Sequence, residues 1–527
     1  MTSLASRTRT PRITAAGRAA DLDAVSGTTV DVLVIGLGVT GAGVALDAAS
    51  RGLSVLAVDA HDLAFGTSRW SSKLLHGGLR YLASGQVGVA HESAVERGIL
   101  MTRTAPHLSH AMAMVIPLTP AIAKPQAALA MQGLRAGDVL RAAARTPRSL
   151  LPRPSRISAE RTTELVPGVR RDGLRGGLLS YDGQLEDDAR FVTALARTAV
   201  AHGARVVTRA RAVDVNGDGA TIRDELTGAT TLVRARSVVN ATGVWAGQVV
   251  PGLALRPSRG THLVVRADRL PGLDVAVSAP VPGSLNRFVF TLPQPDSLVY
   301  IGLTDEPADG DVPDVPTPDE SETDFLLATI GSAFETPLTR ADVAGTYSGL
   351  RPLLSAEGTT ADLSRKHAVL TSETGVITIV GGKLTTYRRM AQHTVDAAVA
   401  GRGLAADSCR TTQLPLVGAA SRAELTAVRA PRRLLRRFGV EAPLVLAEAV
   451  DRTGAAEAEL TAPVAEGVPV TRAELLWGVT AEGALDVDDL LDRRTRVGLV
   501  AADRAAAEDA ARWALDVAGT GTGTGTG

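Results

Sequence analysis

Between Val30 and Asp59 the chain runs a β-branched apolar segment (Val30 to Ile35) into Gly36, Gly38 and Gly41. A helical segment follows from Val39 to about Arg51, then a second apolar run (Val55 to Val58) that ends on Asp59. This order leaves the fold little freedom. Gly36 permits the tight turn, Gly38 lets backbone approach a pyrophosphate, and Gly41 lets helix and strand pack closely. The helix N-terminus then faces anionic phosphates, and Asp59 can accept from a ribose hydroxyl. A bare glycine pattern is weak evidence, but strand, turn, helix, strand and acid together predict a dinucleotide-binding unit. The pattern does not separate NAD from FAD.

The stretch Gly66 to Leu82 follows closely and concentrates hydroxyls, glycines and cations where helical periodicity is poor. Its polar residues read as a surface loop. Leu74, Leu75, Leu79, Tyr81 and Leu82 predict that part of it is buried, and buried polar groups need partners. A bound cofactor can supply them, which makes Thr67, Ser68, Ser72, Lys73, His76, Gly77 and Gly78 candidates for holding one.

At 527 residues the chain exceeds one core, so two or three domains are expected. Lys+Arg and Asp+Glu balance at 56 each, so no global field selects a polyanion and any anion site is a local cluster. Aromatics at 3% argue against nucleic-acid readout by base stacking. Cys409 is the single cysteine, which excludes an intramolecular disulfide and a multi-cysteine metal site, suits a reducing cytosol, and reads as structural. The nine histidines show no metal-ligand spacing. No window reaches the ~18 apolar residues of a membrane span, so any membrane contact is peripheral.

Along the chain, residues 1–28 lack an apolar signal core and read as a mobile tail. Residues 29–255 form the cofactor domain, within which 117–156 change character. Six prolines and six arginines (Arg135, Arg141, Arg145, Arg148, Arg153, Arg156) flank or occupy a predicted helix over 126–144. This insert reads either as a solvated linker helix or as a basic amphipathic element on an anionic membrane surface. Helix is predicted over 186–203 and strands over 204–215 and 231–239, the latter entering Asn240-Ala241-Thr242-Gly243. Short β-like runs over 256–350 (262–265, 287–292, 298–303, 344–350), separated by Pro and Gly turns, predict an antiparallel substrate-capping domain. Val376 to Val380 enters Gly381-Gly382-Lys383-Leu384, so residues 351–404 return to the cofactor. Residues 405–518 are helical in pattern, and the Gly-Thr repeat over 519–527 reads as disordered.

Taken together, these motifs resemble the FAD-dependent respiratory sn-glycerol-3-phosphate dehydrogenases, within the broader D-amino-acid-oxidase-like flavoproteins. The carrying segments are Gly36 to Gly43, Ser71 to Leu82, Asn240 to Gly243 with Trp245, Thr346 to Leu353, Gly381 to Arg388 and Asp488 to Leu499, in the family's order over about residues 30–510. The resemblance implies an α/β, two-dinucleotide-binding (Rossmann-like) FAD domain, an inserted antiparallel capping sheet and a C-terminal helical domain. It implies FAD on Gly36, Gly38, Gly41, Asp59, the 67–78 loop, Ala241, Thr242, Gly243, Gly382, Lys383 and Leu384. It places Arg80, Tyr81, His262, Arg351, Arg365 and Lys383 in the pocket for glycerol 3-phosphate. Its insert is the membrane-facing part, which implies a cytoplasmic protein held peripherally at the membrane, with a membrane quinone as electron acceptor. A homodimer is compatible with it, and no nucleic acid is expected.

Oxidising a secondary alcohol on a flavin requires the C–H carbon against the ring, removal of the hydroxyl proton, and a rigidly held substrate. A phosphate handle suits arginine's planar fork. Pattern alone reads each cation as a surface or structural one, but Arg351 and Lys383 sit in nearly uncharged surroundings, which argues for partial burial and an anionic partner. His262 titrates in the range needed for proton transfer, though a packing histidine at a strand end fits the pattern too. The base is thus His262, Arg351, a nearby lysine or water, with His262, Arg351 and Lys383 the catalytic candidates. Three other readings stay open. They are a glycerol-3-phosphate oxidase using O₂, an amino-acid or hydroxy-acid oxidase of the same fold, and a flavin-containing binding protein. The Arg432-Arg433 and Arg436-Arg437 pairs are a second candidate membrane face.

Overall fold

The run Thr29–Ile35 becomes the central strand of an eight-stranded sheet in the computed structural model, which describes residues 10–78, 85–284, 287–354 and 367–519. Val55–Val58 pairs with it in parallel on one side and Thr230–Asn240 in parallel on the other. Arg205–Val207 extends the first side, and Ile377–Val380 with Ala368–Thr371 extends the second. Unbroken apolar sequence is what a strand covered on both faces requires. Helices Val39–Ser50, Asp188–Ala201 and Tyr387–Arg402 supply one cover. Val25, from a helix at Ala15–Val25, and the hairpin Ala210–Asn216/Gly219–Asp224 contribute to the other. The connections run outward to opposite sides of Thr29–Ile35, so a crevice opens at the C-terminal ends of its strand and both neighbours.

The second sheet has ten strands. Ser258–Arg266, Phe288–Pro293, Leu298–Gly302 and Val343–Arg351 are antiparallel, as expected for a cap. The sheet does not stop there. Ala276–Pro280 pairs in parallel with Ser109–Pro117, which pairs in turn with Gly177–Leu185. A cap made only of residues 256–350 would leave Ala276–Pro280 as a buried-type apolar edge, and the earlier segments cover it.

Two expectations about exposed segments are corrected. The tail expected over 1–28 is built into the fold from Thr10 onward. Ile13 is buried and bridges Glu482, Arg18 donates to the carbonyl oxygens of Thr208 and Arg209 and pairs with Asp224, and Arg12 pairs with Glu448. The physical reason is that these side chains find buried partners far along the chain, which a local reading of composition does not reveal. The insert helix lies at Lys124–Ala143 and rests Ala127, Ala130, Met131 and Leu134 on Leu118, Ile122 and Leu178. Its Arg141 is not outward: it is buried, donating to Asp138 and the Thr146 carbonyl.

The C-terminal domain is helical (Arg432–Phe438, Ala442–Thr453, Arg472–Glu482, Ala501–Ala518) with one small hairpin, Pro463–Ala465 and Val468–Thr471. Of its two arginine pairs, Arg433, Arg436 and Arg437 bind Glu474, Glu186 and Asp187, so the pairs are not a free membrane face. Cys409 donates to the Asp47 carboxylate at 2.9 Å, a structural role. The Gly-Thr repeat lies outside the described residues beyond Gly519.

Arg494 binds Asp62 through both terminal guanidinium nitrogens (2.8 and 2.9 Å), Arg493 adds a third donor at 2.7 Å, and all three side chains are buried. Burial alone would raise the Asp62 carboxyl; Arg494 and Arg493 outweigh it and hold the group below the usual carboxylate range. Removing one member of such a buried set strands the others. Arg494→Met should therefore lower unfolding free energy by ~3–5 kcal/mol in urea titrations. Arg161→Met, which breaks the exposed pair with Glu164, should cost about 1 kcal/mol or less.

Candidate active site

A single cavity of about 1080 Å³ runs along the crevice and under the second sheet. Its wall brings together Gly36, Gly38, Asp59, Thr67, Ser68, Ser72, His76, Gly78, Ala241, Thr242, Gly243, His262, Arg351, Gly382, Lys383 and Leu384. Most of the residues singled out from the sequence thus meet in one place, although they come from six separate stretches of chain.

The cradle end is built by close backbone approach. Gly36 sits at φ +98°, and a Cβ there would lie 2.7 Å from the Ala241 carbonyl oxygen. Gly41 does not line the cavity; a Cβ on it would lie 1.8 Å from the Gly36 carbonyl oxygen, so glycine is what lets helix Val39–Ser50 press on the turn. Ser68 Oγ accepts from the Val39 amide at 2.8 Å, which draws the 67–78 loop over the helix N-terminus. Asp59 accepts from the amides of Leu37 (2.7 Å) and His61 (2.9 Å). Removal from bulk water pushes its carboxyl up to about 6, against those two hydrogen bonds. Asn240 shapes the third strand end: its side-chain oxygen accepts from Thr242, and its amide donates to the Ala246 carbonyl and to Thr378. A helix N-terminus, an acid at the second strand end and glycine backbone around an elongated cavity fit a dinucleotide such as FAD.

The other end carries the cations. Arg351 ends strand Val343–Arg351 and is partly buried. It donates to Ser258 Oγ at 3.1 Å, to Asp305 at 3.2 Å and to the Thr304 carbonyl at 3.2 Å. His262 is 2% exposed and lies 2.8 Å from Ser72 Oγ through Nε2. Its Nδ1 is buried with no hydrogen-bond partner among the described residues. Burial first, then the charges of Lys73 and Arg351, hold its pKa well below the ordinary histidine value. The ring is therefore neutral near neutral pH. Asp182, also on the wall, pairs with Arg97 and His76, which bring its carboxyl down to about 2 despite burial.

Some expectations are not met or lie elsewhere. Lys73 is not on the cavity wall. It is fully buried beneath it, 3.3 Å from Asp188, because its backbone turns through φ +56° and directs the side chain inward. Gly77 is likewise off the wall, its amide donating to Asp182. Arg80, Tyr81 and Arg365 lie outside the described residues. Sequence reasoning missed Asp305, Ser258 and Thr304, the partners of Arg351. The signal was weak, since Thr304-Asp305 follows the apolar strand Leu298–Gly302 but leads into an acidic run (Glu306, Asp309, Asp311) that reads as a surface loop.

Comparison with known proteins bears on the same residues. Residues 31–388 match the family described as FAD dependent oxidoreductase, and residues 409–521 match the C-terminal domain of alpha-glycerophosphate oxidase. The chain is 54% identical to glycerol-3-phosphate dehydrogenase 1 of Mycobacterium tuberculosis over 501 residues, covering 93% of this chain and 96% of that one. It is 38% identical to a Mycobacterium leprae glycerol-3-phosphate dehydrogenase, covering 89% and 81%. Among solved structures it is similar to the Bacillus halodurans glycerol-3-phosphate dehydrogenase complexed with FAD, at a TM-score of 0.73 and 28% identity, covering 95% and 93%.

The contact between Gly41 and the Gly36 carbonyl sets a test. Gly41→Ala forces the helix away from the turn and should lower FAD affinity at least ~10-fold, a loss of about 1.4 kcal/mol, read by flavin absorbance after gel filtration. Gly401→Ala, in a helix with open space around the new methyl, should retain full flavin.

Proposed function

Because the chain belongs to the FAD-dependent sn-glycerol-3-phosphate dehydrogenase family, we propose that it oxidises glycerol 3-phosphate to dihydroxyacetone phosphate and delivers the electrons to a membrane quinone. The observation that carries the reading is the meeting of Arg351, Lys383 and His262 on one cavity wall with the nucleotide cradle. FAD would supply the hydride acceptor for the substrate carbon. Gly36 and Gly38 would hold its pyrophosphate at the helix N-terminus, and Asp59 would accept from its ribose. Thr67, Ser68, Ala241, Thr242 and Gly243 line the same end, and Gly382, Lys383 and Leu384 close the far side.

The substrate's phosphate binds Arg351 and Lys383. Asp305, Ser258 and Thr304 already fix the guanidinium plane, so little orientational freedom is lost on binding. The hydroxyl proton passes to the Ser72–His262 pair. A neutral imidazole is the form able to take it, and the burial that keeps His262 neutral also excludes water from the transfer. Arg80, Tyr81 and Arg365 belong to this proposal on resemblance alone.

A quinone acceptor is supported by the shape of the same cavity. Its wall continues through Ile116, Phe288 and Phe290 to Leu129, Gly133 and Leu134 of helix Lys124–Ala143. That helix exposes Leu129 (60%) and Val139 (68%), with Arg135, Arg145 and Arg148 exposed on it or just beyond. No helix among the described residues is long and apolar enough to cross a membrane. Contact with an anionic leaflet would come from this helix, at about 1 kcal/mol per cation near the surface.

Three measurements test the proposal. Arg351→Ala should lower kcat/KM for glycerol 3-phosphate by roughly 100-fold or more, equivalent to a few kcal/mol of transition-state binding, and by much less for glycerol. Equal proportional losses on both substrates would mean that phosphate is not its partner. Binding to phosphatidylserine liposomes should weaken with salt and drop when Arg135, Arg145 and Arg148 are changed together to Gln. Unchanged binding would remove the membrane role of the insert; peroxide formed in place of reduced quinone analogue would favour O₂ as acceptor.

A further inference from the structure

The cavity rests on a buried charge that the proposed chemistry does not use. The Lys73 ammonium, with 0% side-chain exposure, donates to the carbonyl oxygens of Arg69 and Ser71 at 3.0 Å each and lies 3.3 Å from the Asp188 carboxylate. It also sits over the rings of Tyr347 (4.5 Å) and Tyr300 (5.3 Å). Tyr347 stacks nearly flat on His262, with centroids 4.6 Å apart at 10°. The Tyr347 hydroxyl donates to the same Ser71 carbonyl at 3.0 Å. The next residue is Ser72, whose hydroxyl lies 2.8 Å from His262 Nε2.

Two donors from different parts of the chain thus converge on one carbonyl, immediately before the serine that touches the histidine. A buried ammonium is costly unless it is paired and hydrogen-bonded, and this one meets three oxygens and two ring faces. Such a site is over-built for packing alone, since an apolar side chain of the same length would fill the space without a partner.

We propose that Lys73 is a positioning residue for the proton acceptor: with the Tyr347 hydroxyl it fixes the Ser71–Ser72 peptide, so that Ser72 Oγ stays on His262 Nε2, and it sets a positive charge, paired with Asp188, beneath the Tyr347–His262 stack. The inference rests on His262 receiving the substrate proton. The charge has two consequences. It opposes a second proton on His262, in the same sense as burial and Arg351, so the ring stays able to accept one. It also counterbalances Asp188 and Asp187, which would otherwise favour a cation above them; Arg496, paired with Asp187 and Asp296, adds to the positive side. Tyr300 and Tyr347 face the same cluster and are held in their neutral forms, by burial first.

The test is the pH dependence of kcat/KM for glycerol 3-phosphate, with a soluble quinone analogue, on flavin-loaded protein. In the wild type the acid limb should fall below 6.5, since loss of activity at low pH reports protonation of a depressed imidazole. Lys73→Met combined with Asp188→Asn removes both charges of the buried pair, while the asparagine oxygen can still accept from Ser71. Flavin content and KM should stay close to wild type, kcat should fall roughly 10-fold or more, and the acid limb should move up by about half a unit or more. Tyr347→Phe keeps the stack and the charge but loses one donor to Ser71; kcat should fall a few-fold and the limb should stay in place. A merely structural lysine would not move the limb. A flavin-loaded double variant with the wild-type limb and kcat overturns the proposal. Should that variant not fold, the wild-type profile decides, because a limb at or above 6.5 overturns it equally. If the protein oxidises a different hydroxy substrate, the proposed function fails while the comparison of limbs still judges Lys73.

Discussion

The Asp62 carboxylate is shared by two arginines that lie more than four hundred residues later in the chain, and the site depends on that sharing. Asp62 follows Asp59 by three residues, at the end of the second parallel strand, where the wall of the cavity begins. A carboxylate buried this deeply is tolerable only with its partners in place, and the same holds for Arg493 and Arg494. Two residues further on, Arg496 reaches Asp187 at 3.3 Å and Asp296 at 3.5 Å, the latter in the turn between Phe288–Pro293 and Leu298–Gly302 of the cap. One short segment therefore grips both sheets. The C-terminal domain thus ties the two sheets together, although none of its described residues lines the cavity.

What was legible in the sequence was what local periodicity and glycine chemistry encode. The runs at Val30, Val55, Val376 and His262 became strands within a few residues of their expected ends, and the fingerprint turn fell where its three glycines require it. Partners distant in sequence were not legible. Nothing in Ser109–Pro117 announces that it will cover the edge of Ala276–Pro280, and nothing in Arg12 or Arg18 announces Glu448 or Asp224. Lys73 was misplaced for a related reason. Its motif marks a residue near the cofactor, but the positive φ that turns it beneath the cavity is a property of the folded loop.

The reading of Arg351 was right about burial and incomplete about charge. Its poor surroundings predicted an anionic partner, taken to be the substrate phosphate. The structure supplies a carboxylate, Asp305, with Ser258 bound to the same oxygen at 2.5 Å. Behind them Thr261, Thr304 and Ser348 hydrogen-bond around Glu322, so the guanidinium stands on a polar network several residues deep. An arginine held in this way recognises shape as well as charge, because its fork cannot swing to follow a misplaced anion.

The segment from Thr10 to Val25 has a consequence for how the molecule is made. It is made before both sheets, yet Arg12 cannot pair with Glu448, nor Ile13 bridge Glu482, until those residues have been synthesised. The first sheet is in the same position: Thr230–Asn240 lacks its outer neighbour until Ile377–Val380 emerges. Contacts of such long sequence separation close slowly, and the partly made chain exposes apolar strand edges while it waits. Arg12 and Ile13 thus dock late, as a latch that closes only once the C-terminal helices are made, whereas Arg18 can reach Thr208, Arg209 and Asp224 sooner.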